Sequence, residues 1–203
     1  MYDLANVLPD TEVEAGTNVL VAGPPLTGKR SIALSILASG ASRGDGSITV
    51  TTKDSADVVL AELPDDAVVG VVDCVTKQRG IGSVEDTSRV KYASSPVDMT
   101  GIGIKLSEFL QEFYDQRGLA RNRVLLHSIS TLLMYSDLQT VFRFLHVFTG
   151  RIQSADALGV YVIDSTSHDD QTMNTLKQLF DAVIEVTESE ETNPEIRTAG
   201  LSR

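Results

Sequence analysis

The sequence predicts an α/β fold, a mainly parallel sheet sandwiched by helices, on two observations. Short apolar, β-branched runs alternate with segments of helical periodicity from Thr17 onward. The first such run enters a glycine-containing loop, Gly23-Pro24-Pro25-Leu26-Thr27-Gly28-Lys29-Arg30, and an amphipathic helical segment leaves it.

Taken in order, Thr17–Ala22 is short, apolar and β-branched, and reads as a strand that ends at Gly23. A helix is expected from about Gly28 to Ser39, with Ile32, Ile36 and Leu37 on its inner face and Gly40 near its end. Ser47–Thr52 reads as the next strand, followed by a helix around Ser55–Leu63 that Pro64 closes. Val68–Val75 is a third apolar strand, interrupted by Asp73, and the polar, glycine-containing stretch Lys77–Ser88 is a loop.

Ile102, Leu106, Phe109, Leu110 and Phe113 recur at helical spacing, with Gly118 as the stop. Arg123–Ile129 is another buried strand, followed by a short connector. Ser136-Asp137-Leu138-Gln139 has capping-box form, in which the hydroxyl and the Gln side chain each satisfy a free amide at a helix start. That helix carries Leu138, Val141, Phe142, Leu145 and Phe148 on one face, a core stripe. Val160–Asp164 is a fifth strand, Gln171–Phe180 a helix and Ala182–Val186 a sixth strand. An acidic loop at Glu188–Asn193 precedes an edge strand near Ile196–Leu201. No internal repeat or long linker interrupts the chain, so residues 1–203 read as one domain, with 188–203 its acidic loop and edge strand.

Composition narrows the function classes. A chain of 203 residues with 42% apolar content builds one core, which directs attention to one site. There is no run of about 18 uncharged apolar residues for a membrane span, and Met1-Tyr2-Asp3-Leu4 lacks the basic start and apolar stretch of a secretory signal. A cytoplasmic location is expected. Cys74 stands alone, which excludes a disulfide framework or a cysteine metal cluster within the chain, and it reads as a packing residue. The formal charge of −11, from 28 acidic against 17 basic residues, opposes contact with a nucleic-acid backbone. With 11 Arg, only 6 Lys and many Asp, the balance resembles that of proteins from salt-loving archaea; an ordinary acidic cytoplasmic protein is the alternative.

The loop carries the chemistry. Gly23, Pro24, Pro25, Leu26, Thr27, Gly28 and Lys29 follow the phosphate-loop pattern, and with Arg30 and Ser31 they form the candidate nucleotide-binding segment. In such a loop successive backbone amides and the positive end of the helix face phosphate oxygens, and the lysine adds a full charge. The other reading is a strand-to-helix turn that holds no ligand. The pattern breaks at Arg30, where a Ser or Thr hydroxyl normally reaches magnesium. Ser31 comes one residue late, which on a helix turns its hydroxyl about 100° away.

Taken together, Gly23–Lys29, the run Val50-Thr51-Thr52-Lys53-Asp54 and Arg123-Val124-Leu125-Leu126-His127-Ser128-Ile129-Ser130 resemble the RecA superfamily, and within it the KaiC-like branch of small KaiC- or RadA-like proteins from halophilic archaea. The helix Ser136–Ile152, with Phe142-Arg143-Phe144-Leu145-His146 and Thr149-Gly150-Arg151, looks like the segment that follows the second motif there, and the likeness covers about residues 15–187. It implies a RecA-like P-loop fold, ATP or ADP as ligand, and other protein subunits as partners, including further copies in a ring or filament.

The resemblance also implies a damaged catalytic site. In active members the strand matching Val124–Ser128 ends in an Asp that positions magnesium; here Ser128 matches and His127 replaces the acid. Active members carry paired glutamates after the second strand, one of which activates water; Lys53 and Asp54 stand there. The expectation is a degenerate ATPase without a seat for magnesium, with Asp54 the one candidate base and His127 and Ser128 in a supporting shell. A slow ATPase linked to DNA or signalling, and a scaffold that holds no nucleotide, are the alternatives.

Several residues have two readings. Arg30 either neutralises phosphate charge directly or pairs with an acid. His127 is either a neutral buried imidazole bonded to backbone or a phosphate contact. Asp54 is either the cap of its helix or the base. Ser94–Gly103 is either a second ligand or subunit contact, or a helix start capped by Asp98 or Thr100. His168-Asp169-Asp170 is a helix cap or, by resemblance, a sensor across a subunit boundary; adjacent residues share no face, which argues against a metal there.

Overall fold

The structure, a computed structural model, describes residues 1–4, 7–80, 84–187 and 195–201. Among these, the chain order is β1 (Tyr2–Leu4), β2 (Leu8–Val13), β3 (Asn18–Gly23), α1 (Lys29–Ala41), β4 (Gly46–Thr51), α2 (Ala56–Leu60), β5 (Val69–Asp73), β6 (Val90–Tyr92), α3 (Met99–Arg117), β7 (Asn122–His127), α4 (Ile129–Tyr135), α5 (Leu138–Ser154), β8 (Leu158–Asp164), α6 (Asp170–Lys177), β9 (Ala182–Thr187) and β10 (Glu195–Ala199).

Eight of these strands form one sheet in the order β10-β9-β3-β8-β7-β4-β5-β6. Every neighbouring pair is parallel except β10 on β9, where Ile196 lies opposite Val186. Parallel strands buried on both faces read as near-continuous apolar runs, as β3 and β8 do. Because side chains alternate, β3 sends Val19 and Val21 to one core and Leu20 and Ala22 to the other. The first core lies under α1, α2 and the β1–β2 hairpin; the second lies under α3, α5 and α6.

The terminal hairpin and β6 were not legible as elements. The hairpin is stapled to the sheet by buried charge. Arg123, at the start of β7, is fully buried; its guanidinium meets Asp45 at 2.9 Å and Asp3 at 2.7 Å and donates to the Ile36 carbonyl at 2.7 Å.

Three expectations change. The capping box does not form, because the Ser136 amide closes α4 on the Leu132 carbonyl at 3.0 Å, and Asp137 caps α5 by accepting from the Thr140 amide at 2.8 Å. The connector after β7 is itself helical, α4, opened by Ser128. Asp54 does not cap α2; Ser55 holds that position, and the Ala56 amide donates instead to Asp73 at 2.8 Å. Asp73 thus has a structural task inside its strand end, since it also accepts from Val75, Thr76 and the Thr76 hydroxyl. The acidic loop expected at Glu188–Asn193 lies outside the described residues, and β10 supplies the edge strand.

Candidate phosphate site

Strand β3 delivers the chain to the loop and α1 carries it away, the placement a phosphate loop requires. Its two glycines are needed for different reasons. Gly28 sits in the left-handed region at φ 80° directly before the first turn of α1, a backbone state that disfavours a side chain. A Cβ on Gly23 would fall 2.3 Å from the Val186 carbonyl oxygen, so Gly23 lets β9 lie against the loop. Leu26 is also left-handed, at φ 65°, and its side chain is fully exposed at the tip. Pro24 and Pro25 have no amide hydrogen, which leaves the N–H groups from Leu26 through Arg30 as the loop's donors. Left-handed residues at the mouth of a helix turn such amides into an anion-binding concavity.

Lys29 is almost fully buried and points into the loop. Its ammonium lies 2.9 Å from an Asp164 oxygen, donates to the Pro24 carbonyl, and reaches the Thr27 hydroxyl at 3.4 Å. Thr27 in turn donates to the same carbonyl at 2.8 Å, which fixes the curl of the loop. Parallel pairing of β3 with β8 sets Gly23 beside Asp164 and explains why that carboxylate is present.

A cavity of about 980 Å³ opens from the loop along the carboxyl ends of the strands, where open α/β sheets bind ligands. Leu26, Gly28, Lys29 and Arg30 line it, joined by Lys53, Asp54, His127, Ser128 and Asp164. Gly23, Pro24, Pro25 and Thr27 belong to the loop but do not line the cavity, and Ser31, exposed on α1, does not line it either.

At the departed positions, Arg30 pairs with Asp54 at 3.2 Å and with the Glu62 carboxylate, so of its two readings the structure shows the ion pair. Asp54 is thereby committed as a counter-ion. His127 lies 4.0 Å from Asp54, and burial, reinforced by the charge of Arg30, pushes its pKa down to about 4; it is a neutral imidazole near pH 7. Ser128 follows a cis peptide, caps α4 through the Thr131 amide, and is held by Thr52, whose hydroxyl accepts from its amide at 2.8 Å. Among the described residues, no group of three or more His, Cys, Asp or Glu side chains is placed to hold a metal ion.

The other doubtful segments resolve as helix starts. Asp98 caps α3, accepting from Gly101 at 2.9 Å, and Asp169 caps α6, accepting from Thr172 at 2.7 Å. His168 turns inward to Ser130, its Nε2 2.9 Å from the hydroxyl that also accepts the Asp164 amide. Sequence reasoning overlooked Asp164, Glu62 and Ser130 as site residues. The available signal for Asp164 was an acid at the carboxyl end of a strand.

A family model described as a family of unknown function (DUF7504) matches residues 16–186. The chain belongs to that family. No curated protein matches the sequence. Among solved structures, this DUF7504 member is similar to a KaiC-like protein of the hyperthermophilic archaeon Pyrococcus horikoshii, 14% identical with a TM-score of 0.55, over 91% of this chain and 76% of that one. It is also similar to an uncharacterised protein of Pyrococcus horikoshii solved with an unknown peptide, 11% identical with a TM-score of 0.69, over 93% and 94% of the two chains. At such identities the likeness shows the fold, which is RecA-like and of the P-loop type. No helix among the described residues is long and apolar enough to cross a membrane.

Proposed function

We propose that this DUF7504 member is a degenerate RecA/KaiC-like protein that binds nucleotide without hydrolysing it and works through contacts with other proteins, as a regulatory or assembly component. The observation that carries this reading is the contrast within one loop. Its amide donors and Lys29 keep the form of a phosphate cradle, while the next residue is a guanidinium anchored by Asp54 and Glu62.

Phosphoryl transfer depends on metal-neutralised charge and a placed water. Here the hydroxyl position holds Arg30 and the acid position holds a neutral His127, so the residues present do not fit magnesium. The candidate base, Asp54, is occupied with Arg30. The same residues do fit a nucleotide, since the amides from Leu26 to Arg30 would hold phosphate oxygens and the cavity has the volume of a cofactor site. Arg30, tied to Asp54 and Glu62, brings no unmatched charge to take the place of the ion, so Lys29 and the amides are the loop's contacts to phosphate. Exposed Leu26, Met134 and Tyr135 around the mouth leave apolar surface for a protein partner, a further copy included. The charge of −11 disfavours nucleic acid and suits a cytoplasm of high salt.

The test is recovery of nucleotide. Protein incubated with ATP or with ADP, each with magnesium in high potassium chloride, then washed and extracted, should yield the same nucleotide intact without phosphate released above background, and Lys29→Ala should retain none. Steady phosphate release lost on Lys29→Ala would favour a slow ATPase. Equal absence of nucleotide from both proteins would favour a scaffold.

A further inference from the structure

Resting on the nucleotide reading above, we propose that Asp164 makes the site select nucleoside diphosphates over triphosphates. An ammonium has three donors, and those of Lys29 are spoken for by the Asp164 carboxylate, the Pro24 carbonyl and the Thr27 hydroxyl. A phosphate reaching Lys29 must displace one of these or share the ammonium with them. The carbonyl and hydroxyl are neutral, but Asp164 keeps its negative charge on the cavity wall beside the incoming group, with its side chain one-third exposed (33%).

The consequence differs between phosphates. In a phosphate loop the backbone amides cradle the α- and β-phosphates and the lysine reaches the β- and γ-phosphates, so a third phosphate has no amides and relies on the lysine and on magnesium. Here the magnesium hydroxyl is replaced by Arg30, whose charge is already matched by Asp54 and Glu62, and the lysine's charge is matched by Asp164. The β-phosphate keeps its amides, while a γ-phosphate meets the Asp164 carboxylate beside a lysine and an arginine whose charges are already matched; Lys53 and Arg79, which also line the cavity, lie outside the loop. The strand end that carries Asp164 is held in place, because its backbone amide donates to the Ser130 hydroxyl at 2.9 Å, and Ser130 is braced by His168.

The experiment is calorimetric titration of ADP and ATP, each with EDTA and in a parallel series with magnesium, in high potassium chloride, into the full chain and into Asp164→Asn and Asp164→Ala, with melting curves to show that each variant is folded. The wild type should bind ADP on the order of tenfold more tightly than ATP, the size of one partly screened unit charge. Both variants should erase the preference by raising ATP affinity more than ADP affinity, so that the ratio of the two falls from about tenfold to about one. Equal wild-type affinities, or a preference that survives Asp164→Asn, would overturn the selectivity while sparing the nucleotide reading. Binding of neither nucleotide would overturn both. A variant that loses binding only when magnesium is present would reassign Asp164 to a metal and overturn the proposal.

Discussion

Replacing Arg123 with Met should destabilise the protein by about 3–4 kcal/mol, because it removes one side of a buried charge network and leaves the other in place. Arg123 is fully buried, and its guanidinium bonds Asp45, which is also fully buried, Asp3, the carbonyls of Ile36 and Asp3, and the Ser39 hydroxyl. Breaking such a pair from one side costs about 3–5 kcal/mol. The figure belongs at the lower end, since Asp45 keeps Arg121 at 2.7 Å and Asp3 keeps Arg43 at 3.3 Å. At roughly 2–4 °C per kcal/mol for a chain of this size, the melting temperature should fall by about 10 °C. Buried pairs are screened little, so the fall should persist in high salt. Circular dichroism melts of wild type, Arg123→Met, Asp45→Asn and the double variant measure it, with the double variant recovering part of the loss. A fall below about 2 °C would refute the argument that this network holds the hairpin and β7 together.

Gly23→Ala should lower stability by about 1–3 kcal/mol through the clash with the Val186 carbonyl, read as a shift in urea midpoint; an unchanged midpoint would mean that β9 yields freely. His127 has a folded pKa of about 4 against about 6.5 when unfolded. The unfolded chain therefore takes up the proton first. Stability is complete above pH 6.5 and falls as pH drops toward 4, by up to about 3 kcal/mol from this residue. His127→Gln should flatten the pH–stability curve in that window, and a curve of unchanged slope would contradict the burial argument. Millimolar ADP should raise the melting temperature of the wild type and leave that of Lys29→Ala unmoved, because a ligand that prefers the folded state must stabilise it.

The sheet was readable because parallel strands buried on both faces leave apolar runs at Thr17–Ala22, Val68–Val75 and Val160–Asp164. The loop was readable from two glycines and a lysine at fixed spacing between a strand and a helix. The hairpin was lost because β2 contains Pro9 and Asp10 and leaves half of its residues exposed, so it lacks a strand's usual apolar weight. What fastens it is Arg123, whose partners Asp3 and Asp45 are distant in sequence. The capping of α5 shifted by one residue because Ser136 was needed to end α4, a helix hidden in Ile129–Tyr135 by its shortness. Within the site, Arg30 and His127 were visible as departures from a pattern. Their partners were not: Glu62 reaches Arg30 from the turn after α2, and Asp164 reaches Lys29 only because β8 is inserted beside β3.

The most direct test of the account is the affinity of the wild-type chain for ADP, measured in parallel with EDTA and with magnesium. A cradle of amides, Lys29 and a tethered Arg30 predicts binding that is lost on Lys29→Ala and is the same within about threefold in both solutions, a difference below 1 kcal/mol. Binding that appears only when magnesium is added would contradict it.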